Sequence, residues 1–138
     1  MRAAVIMLDE FLQEVLEQYH VSPKNAVLGG FSQGGTMTYR CGLGKPKVFA
    51  GLAALSSTMP DPKEISPLLP AKRTQPIFIS HGLNDQLITP ERARYAKEFL
   101  EAEGYAPVYQ EYPIGHEISQ NVLDDLILWL NQILPPLR

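Results

Sequence analysis

Cysteine is nearly absent from this chain, in which Cys41 is the single cysteine among 138 residues. A lone thiol excludes an internal disulfide and is compatible with a reducing compartment, so we expect a cytoplasmic protein. We interpret Cys41 as a small buried hydrophobic residue rather than as a reactive thiol. A chain of this length buries about two-thirds of the surface that its unfolded form exposes, which is enough for a hydrophobic core.

The sequence also lacks a basic stretch, a repeat and a low-complexity tract. Its Lys and Arg residues are scattered and its net charge is −3, which argues against the phosphate-binding face that a nucleic-acid partner requires. Asp9 and Glu10 interrupt the apolar opening of the chain, so we predict neither a targeting segment nor a membrane span. No linker signal is present, and we expect residues 1–138 to form a single domain.

Helical and strand patterns alternate along the whole chain. The helices are predicted over residues 5–19, 33–40, 89–103 and 119–134. The strands are predicted over residues 25–28, 48–55, 76–80 and 108–112. The proline-rich residues 56–75 between them predict a loop with short turns. Such alternation predicts an α/β fold with three αβα layers and a short parallel sheet, whose functional groups collect at the carboxyl ends of the strands.

Two of the predicted helices begin with capping residues, Thr89 and Ser119. Pro90 after Thr89 has no first-turn amide to lose, which strengthens the first of these helix starts. The last helix has six apolar residues at helical spacing, which we expect to face the core. They are Val122, Leu123, Leu126, Ile127, Leu130 and Leu134.

The motif G-x-S-x-G spans Gly30 to Gly34 and has Ser32 at its centre. It follows a predicted strand and precedes a predicted helix, which is the context of a sharp turn that raises a serine hydroxyl above the end of a parallel sheet. Such a turn is strained, and we expect Gly30 and Gly34 to remove Cβ atoms that would clash on its two sides.

A serine hydroxyl needs a base and an orienting acid before it can act as a nucleophile. His116 follows the last strand and is the preferred base, although a surface histidine satisfied by water has the same local pattern. Asp85 follows the third strand and is preferred as the acid over Asp61, and the alternative is a turn aspartate that binds its own backbone. We expect the ring of His81 to order the Asp85 loop.

Three blocks follow one another in the sequence: Gly29-Gly30-Phe31-Ser32-Gln33-Gly34-Gly35, His81-Gly82-Leu83-Asn84-Asp85 and Glu111-Tyr112-Pro113-Ile114-Gly115-His116-Glu117-Ile118. Together they resemble the phospholipase/carboxylesterase family of the α/β-hydrolase superfamily, which includes acyl-protein thioesterases. The resemblance implies a shortened α/β-hydrolase fold and hydrolysis of esters or thioesters through an acyl-enzyme, without a metal or an organic cofactor. It implies Ser32 as nucleophile, Asp85 as orienting acid, His116 as base and the backbone amide of Gln33 as one oxyanion donor.

Members of that family begin with further strands and a His-Gly loop that supplies a second oxyanion amide, and neither precedes the first predicted helix here. Both a naturally shortened hydrolase and a fragment of a longer one fit this difference. Loss of one oxyanion donor costs about a hundred- to a thousandfold in rate, so we expect weak or substrate-restricted activity. Without neighbouring strands, residues 25–28 become an open sheet edge, and we expect a homodimer or a higher oligomer.

Met59, Leu87 and Ile88 flank the predicted site, and we expect them to line the acyl pocket, although each fits a plain core position equally well. No insertion is long enough for a large lid, which favours a small-molecule ester or thioester with a short or exposed acyl chain. Two alternatives stay open. One is a peptidase or lactone hydrolase that uses the same residues, and the other is a catalytically silent half-domain that serves as an assembly or binding module.

Overall fold

Helices and strands alternate along residues 2–136, the part of the chain that the computed structural model describes. The helices are α1 (Arg2–Gln18), α2 (Gln33–Gly42), α3 (Pro62–Ile65), α4 (Pro90–Ala102) and α5 (Gln120–Ile133), with a 3₁₀ helix over Ser66–Leu68. The strands are β1 (Ala26–Phe31), β2 (Phe49–Leu55), β3 (Ile77–Gly82) and β4 (Val108–Tyr112). Within the segment expected to be a loop, α3 and the 3₁₀ helix are short and are held by the buried Ile65.

The four strands pair in parallel in the order β1-β2-β3-β4. Successive side chains of a strand point to opposite faces of the sheet, and β2 shows this clearly. Leu52 and Ala54 pack into a cluster with α1, α2 and α4, whereas Ala53 and Leu55 pack into a second cluster with α5. The resulting helix–sheet–helix layers confirm the predicted α/β class and its parallel sheet.

Gly51 on β2 shows why small residues occur in this strand. A Cβ atom at this position would lie 2.6 Å from Cδ1 of Ile133 and 3.0 Å from the ring of Trp129. The first distance is shorter than real Cβ atoms show and the second is tighter than most, so a larger residue would require these α5 side chains to shift. Gly51 therefore lets α5 pack directly on the strands that carry the candidate site.

The orientation of α5 differs in part from the prediction. The Ser119 hydroxyl accepts a hydrogen bond from the amide of Val122 at 3.4 Å, which confirms the predicted cap. Val122 is buried, but Leu123 and Ile127 are 39% and 53% exposed, so their predicted inward orientation is wrong. Apolar residues occur around more than one face of this helix, and the sheet covers only the face that carries Val122 and Trp129.

The start of α4 also differs from the prediction. Thr89 precedes the helix as expected, and Pro90 occupies the first turn, but the Thr89 side chain accepts no amide hydrogen bond from the described residues. The amide of Arg92 donates instead to the main-chain carbonyl of Thr89 at 3.0 Å. The Arg92 amide, which the Thr89 hydroxyl could have capped, is thus already hydrogen-bonded.

Cys41 is buried in α2, as predicted. Burial is the main cause that raises the pKa of its thiol to about 11, and the neighbouring Asp9 carboxylate adds to the effect. A thiol with this pKa is protonated at neutral pH and is a poor nucleophile. The interpretation of Cys41 as a small hydrophobic residue therefore fits its surroundings.

Strand β1 and helix α1 are only partly covered by the other described elements. Within residues 2–136, β1 pairs only with β2, which makes it an edge strand that is longer and less buried than predicted. No described residue of α1 is fully buried, and Ile6, Met7 and Phe11 are each at least half exposed. No helix within residues 2–136 combines the length and the apolar character needed to cross a membrane.

Candidate active site

Ser32 occupies a strained turn between the end of β1 and the start of α2. Its backbone has φ 56° and ψ −119°, a region that residues with a side chain seldom adopt and that costs about 1–3 kcal/mol. The turn is held from both directions, because the Ser32 amide donates to the carbonyl of Leu55 at 2.8 Å and the Ser32 carbonyl accepts from the amide of Gly35 at 3.0 Å. This geometry presents the hydroxyl at the carboxyl end of the sheet.

The two glycines of the motif have different surroundings. A Cβ atom on Gly30 would lie 2.2 Å from the carbonyl carbon of Gly34, so only glycine fits there. A Cβ atom on Gly34 would meet nothing within 4 Å, and the predicted crowding at that position is wrong. The first turn of α2 folds over the end of β1. A side chain on Gly30, in the strand, would therefore collide with the backbone of that turn. The next glycine, Gly35, is also crowded, because its Cβ would lie 2.0 Å from Oγ of Ser57.

Asp85 lies in the loop after β3, with its side chain fully removed from solvent. Its Oδ1 accepts hydrogen bonds from the amides of Leu87 at 3.0 Å and Ile88 at 2.9 Å. Burial by itself raises the pKa of this carboxyl, but the hydrogen bonds from Ile88, His116 and Leu87 outweigh it and hold the pKa of Asp85 below its usual value. The carboxylate is therefore ionised at neutral pH despite its burial.

His81 ties down the same loop from inside the core. Its Nε2 lies 2.6 Å from the carbonyl oxygen of Ile88. A carbonyl can only accept, so Nε2 carries the proton. The same nitrogen lies 3.5 Å from Oδ2 of Asp85. These contacts place His81 where the ring holds the segment whose amides bind Asp85, as the sequence predicted.

The loop after β4 carries His116 to the end of β3, and the His116 side chain extends from there toward Ser32 at the end of β1. It is fixed to the Asp85 loop, because the amide of Leu83 donates to the carbonyl of Tyr112 at 2.8 Å and the amide of Asn84 donates to the carbonyl of Ile114 at 3.0 Å. The two loops thus hold each other in place.

The three predicted side chains meet at the carboxyl end of the sheet. His116 Nδ1 lies 2.7 Å from Oδ2 of Asp85, and His116 Nε2 lies 3.0 Å from Oγ of Ser32. An ionised carboxylate only accepts, so Nδ1 carries the proton and Nε2 is left to accept the hydrogen bond of the Ser32 hydroxyl. This series can remove a proton from the serine and stabilise the imidazolium that results.

Gln33 is the first residue of α2, directly after Ser32. Amides in the first turn of a helix have no partner within the helix, and the helix dipole adds partial positive charge there. These properties suit the Gln33 amide to bind an oxyanion, and its role as a donor stays a prediction.

The three predicted pocket residues have different surroundings. Met59 is buried in the apolar cluster on the α2 side of the sheet, whereas Leu87 is 79% exposed and Ile88 is half-buried. The Ile88 backbone binds Asp85 and His81. The role of all three in acyl binding stays a prediction.

The other histidine and aspartate considered from the sequence lie elsewhere. Asp61 accepts a hydrogen bond from the amide of Lys63 at 2.9 Å and caps α3. His20 is exposed in the turn after α1. Within residues 2–136, no group of three or more His, Cys, Asp or Glu side chains is placed to hold a metal ion.

Phe31 is a site neighbour that the sequence analysis did not identify. Its ring centroid lies 4.8 Å from that of His116, with the two ring planes tilted by 40°. The sequence feature that could have identified Phe31 is its place in the motif, where a large apolar residue directly precedes the serine at the end of a strand.

Comparison with known sequences identifies the family of this chain. A profile described as Phospholipase/Carboxylesterase matches residues 1–134. The chain belongs to the phospholipase/carboxylesterase family. The resemblance inferred from the three sequence blocks is thereby confirmed.

Relatives within the phospholipase/carboxylesterase family include acyl-protein thioesterase 1 of Gibberella zeae, which is 33% identical over 120 residues, covering 84% of this chain and 51% of that protein. A probable carboxylesterase SOBER1-like of Arabidopsis thaliana is 36% identical over 115 residues, covering 81% of this chain and 44% of that protein. The chain spans about half the length of these relatives.

Among solved structures of similar fold, the crystal structure of Arabidopsis thaliana SOBER1 superposes with a TM-score of 0.84 at 28% identity. The match covers 98% of this chain and 67% of that one. The fold described above is thus that of a larger α/β-hydrolase over nearly the whole length of this chain.

Proposed function

We propose that this chain is a serine hydrolase that cleaves short-chain carboxylic esters or thioesters through an acyl-enzyme. The observation that carries the proposal is the hydrogen-bonded series in which His116 lies 2.7 Å from Asp85 and 3.0 Å from Ser32. Membership of the phospholipase/carboxylesterase family supports the same reaction class.

The first half-reaction forms the acyl-enzyme. The Ser32 oxygen attacks the carbonyl carbon while its proton moves to Nε2 of His116. The carbonyl oxygen becomes an oxyanion next to the Gln33 amide. His116 then donates its proton to the leaving alcohol or thiol as the C–O or C–S bond breaks, which leaves the acyl group on Ser32 and returns His116 to its neutral form.

The second half-reaction releases the acid. A water molecule gives a proton to Nε2 of His116 and attacks the acyl carbon, and a second oxyanion forms at the same place. When that intermediate collapses, His116 returns the proton to the oxygen of Ser32 and the carboxylic acid leaves. Neither half-reaction consumes a cofactor.

Asp85 acts in both halves without titrating. Its lowered pKa keeps it ionised at neutral pH, and its bond to Nδ1 stabilises the imidazolium that appears twice in each cycle. The amides of Leu87 and Ile88 occupy its other oxygen, so the carboxylate cannot rotate away from His116.

The preference for short or exposed acyl chains rests on the segment between β2 and β3. This segment carries α3 and the 3₁₀ helix, and Met59 and Ile65 anchor it in the core. A segment held in this way cannot act as a large mobile cover over an acyl chain. The cytoplasmic location expected from the single cysteine stays a prediction.

We further propose that a second copy of the chain covers the β1 edge. Within residues 2–136 the outer side of β1 has no strand partner, and Ile6, Met7 and Phe11 of α1 are exposed apolar residues. A two-fold axis would bring the same surface of two chains together, which is the commonest form of homodimer.

Turnover of p-nitrophenyl butyrate by the wild type and by Ser32→Ala tests the proposed reaction. We expect Ser32→Ala to lower kcat by more than about a thousandfold, because loss of the nucleophile leaves only binding and oxyanion contributions. Ser66→Ala, an exposed serine on the 3₁₀ helix, is the matched control and should leave the rate unchanged. Equal rates in wild type and Ser32→Ala would instead support the silent assembly module, and serine-dependent turnover confined to peptides or lactones would change the substrate class.

A further inference from the structure

We propose that Phe31 is a positioning residue whose aromatic face holds the His116 ring in its working orientation. The proposal rests on the proposed hydrolase function, since it assigns a role within that reaction. It is carried by the contact between the two rings, whose centroids are 4.8 Å apart, and by the position of Phe31 directly before Ser32.

The hydrogen bonds of His116 act only at the edge of its ring. Its two nitrogens contact Asp85 and Ser32. These two bonds favour the working rotamer of the side chain only while both partners are in place. The Phe31 ring packs against the imidazole, with the two ring planes tilted by 40°, and so favours the same rotamer independently of those bonds.

Phe31 is placed for this contact rather than for core packing. It is 36% exposed at the end of an edge strand, and within residues 2–136 it belongs to neither apolar cluster. Because it is the residue before Ser32, the same strained turn that presents the serine hydroxyl also sets the position of the aromatic ring. One backbone element therefore positions the nucleophile and orients the base.

The test compares Phe31→Leu, which removes the aromatic face, with Phe31→Tyr, which keeps it. We expect Phe31→Leu to lower kcat for p-nitrophenyl butyrate by about three- to tenfold with KM changed by less than about twofold, and Phe31→Tyr to restore most of the rate. Tyr95→Leu removes an exposed aromatic ring on α4, outside the loops of the site, and should leave kcat unchanged. Thermal melting of each variant verifies the fold, and Phe31→Met replaces the leucine variant if that variant melts early.

Three outcomes would overturn the proposal. An unchanged kcat in Phe31→Leu would show that the ring does not orient His116. A raised KM with unchanged kcat would show that Phe31 contacts the substrate instead. A loss in Phe31→Tyr equal to that in Phe31→Leu would show that the aromatic face is not the cause. Failure of the hydrolase function is a separate result, because the wild type and Ser32→Ala would then have equal rates.

Discussion

The two edges of the sheet differ in how they meet solvent. On β4, the side chain of Arg94 donates to both oxygens of Glu111, at 2.6 and 3.0 Å, and the Tyr109 hydroxyl donates to the same carboxylate at 2.6 Å. On β1 no such ion pair is described, and exposed apolar side chains such as Met7 and Phe11 occur on the neighbouring part of the chain, α1. Charged side chains at a sheet edge discourage the addition of another strand, so β4 is protected and β1 is not.

The candidate site joins these two edges. Ser32 directly follows β1 and His116 follows β4, while Asp85 comes from the loop after β3, beside β4. The proposed reacting groups therefore depend on the loop after β4, which packs on the end of β3. In the proposed reaction, the unprotected edge supplies the nucleophile and the protected edge supplies the base.

The largest expected effect comes from a substitution at Gly82, where the end of β3 contacts the loop that carries His116. A Cβ atom there would lie 2.3 Å from the carbonyl oxygen of Gly115 and 2.4 Å from that of Ile114. Gly82→Ala must push the His116 loop outward, and a displacement of about 1 Å can cost a hundredfold in rate. We expect kcat/KM for p-nitrophenyl butyrate to fall by about that factor.

Gly115→Ala is the matched control, since its Cβ would make only ordinary contacts of 3.7 and 3.8 Å in the same region. It should keep most of the activity. A loss in Gly115→Ala as large as that in Gly82→Ala would contradict the steric explanation.

The second prediction tests the unprotected edge directly. Light scattering at micromolar concentration should give twice the mass of a single chain for the wild type. The double substitution Met7→Glu with Phe11→Glu should give the monomer mass, because it replaces two exposed apolar side chains of α1 by charged ones. Val108→Glu adds a charge at an exposed position of β4 and should leave the dimer intact. A monomeric wild type would overturn the proposed dimer.

The smallest expected effect concerns Asp85, which lies between the two edges. Its pKa is lowered in the folded protein relative to its ordinary value of 3.8, so its stabilising contribution is present above about pH 3.8 and is lost as the pH falls through the lowered pKa. We expect Asp85→Asn to lower the free energy of unfolding by about 1–3 kcal/mol near pH 7, because its buried partners lose an ionised acceptor.

Chemical denaturation at about pH 7 and about pH 3 measures this dependence. The difference between wild type and Asp85→Asn should shrink at the lower pH, because below about pH 3.8 the unfolded chain takes up a proton more readily than the folded carboxylate does. Asp61→Asn, at the exposed cap of α3, serves as the control. A difference that stays constant with pH would mean that the carboxylate charge does not contribute.

Much of the fold was predictable because local patterns and tertiary packing agree. The strand over residues 108–112 has the predicted bounds, and the Ser119 cap forms as expected. The order of Ser32, Asp85 and His116 along a parallel α/β chain was sufficient to place them at one end of the sheet, because all strands of such a sheet end on the same side.

The remaining features depend on contacts between distant segments. The close approach of Gly82 to the His116 loop and the open space at Gly34 cannot be inferred from spacing, since both depend on where another backbone runs. Leu123 and Ile127 satisfy the helical pattern, but the pattern does not say which apolar stripe the sheet will cover. Phe31 was missed because its partner, His116, is 85 positions further along the chain.

Ser32 and His116 are 84 positions apart, yet they form one hydrogen bond. Contacts of such long range form late in folding, because a large loop must close before they contribute any stability. Turnover by the proposed reaction is therefore expected to report completed folding. A chain interrupted anywhere before β4, by a stalled ribosome or a protease, would carry Ser32 without the histidine that the proposed reaction requires.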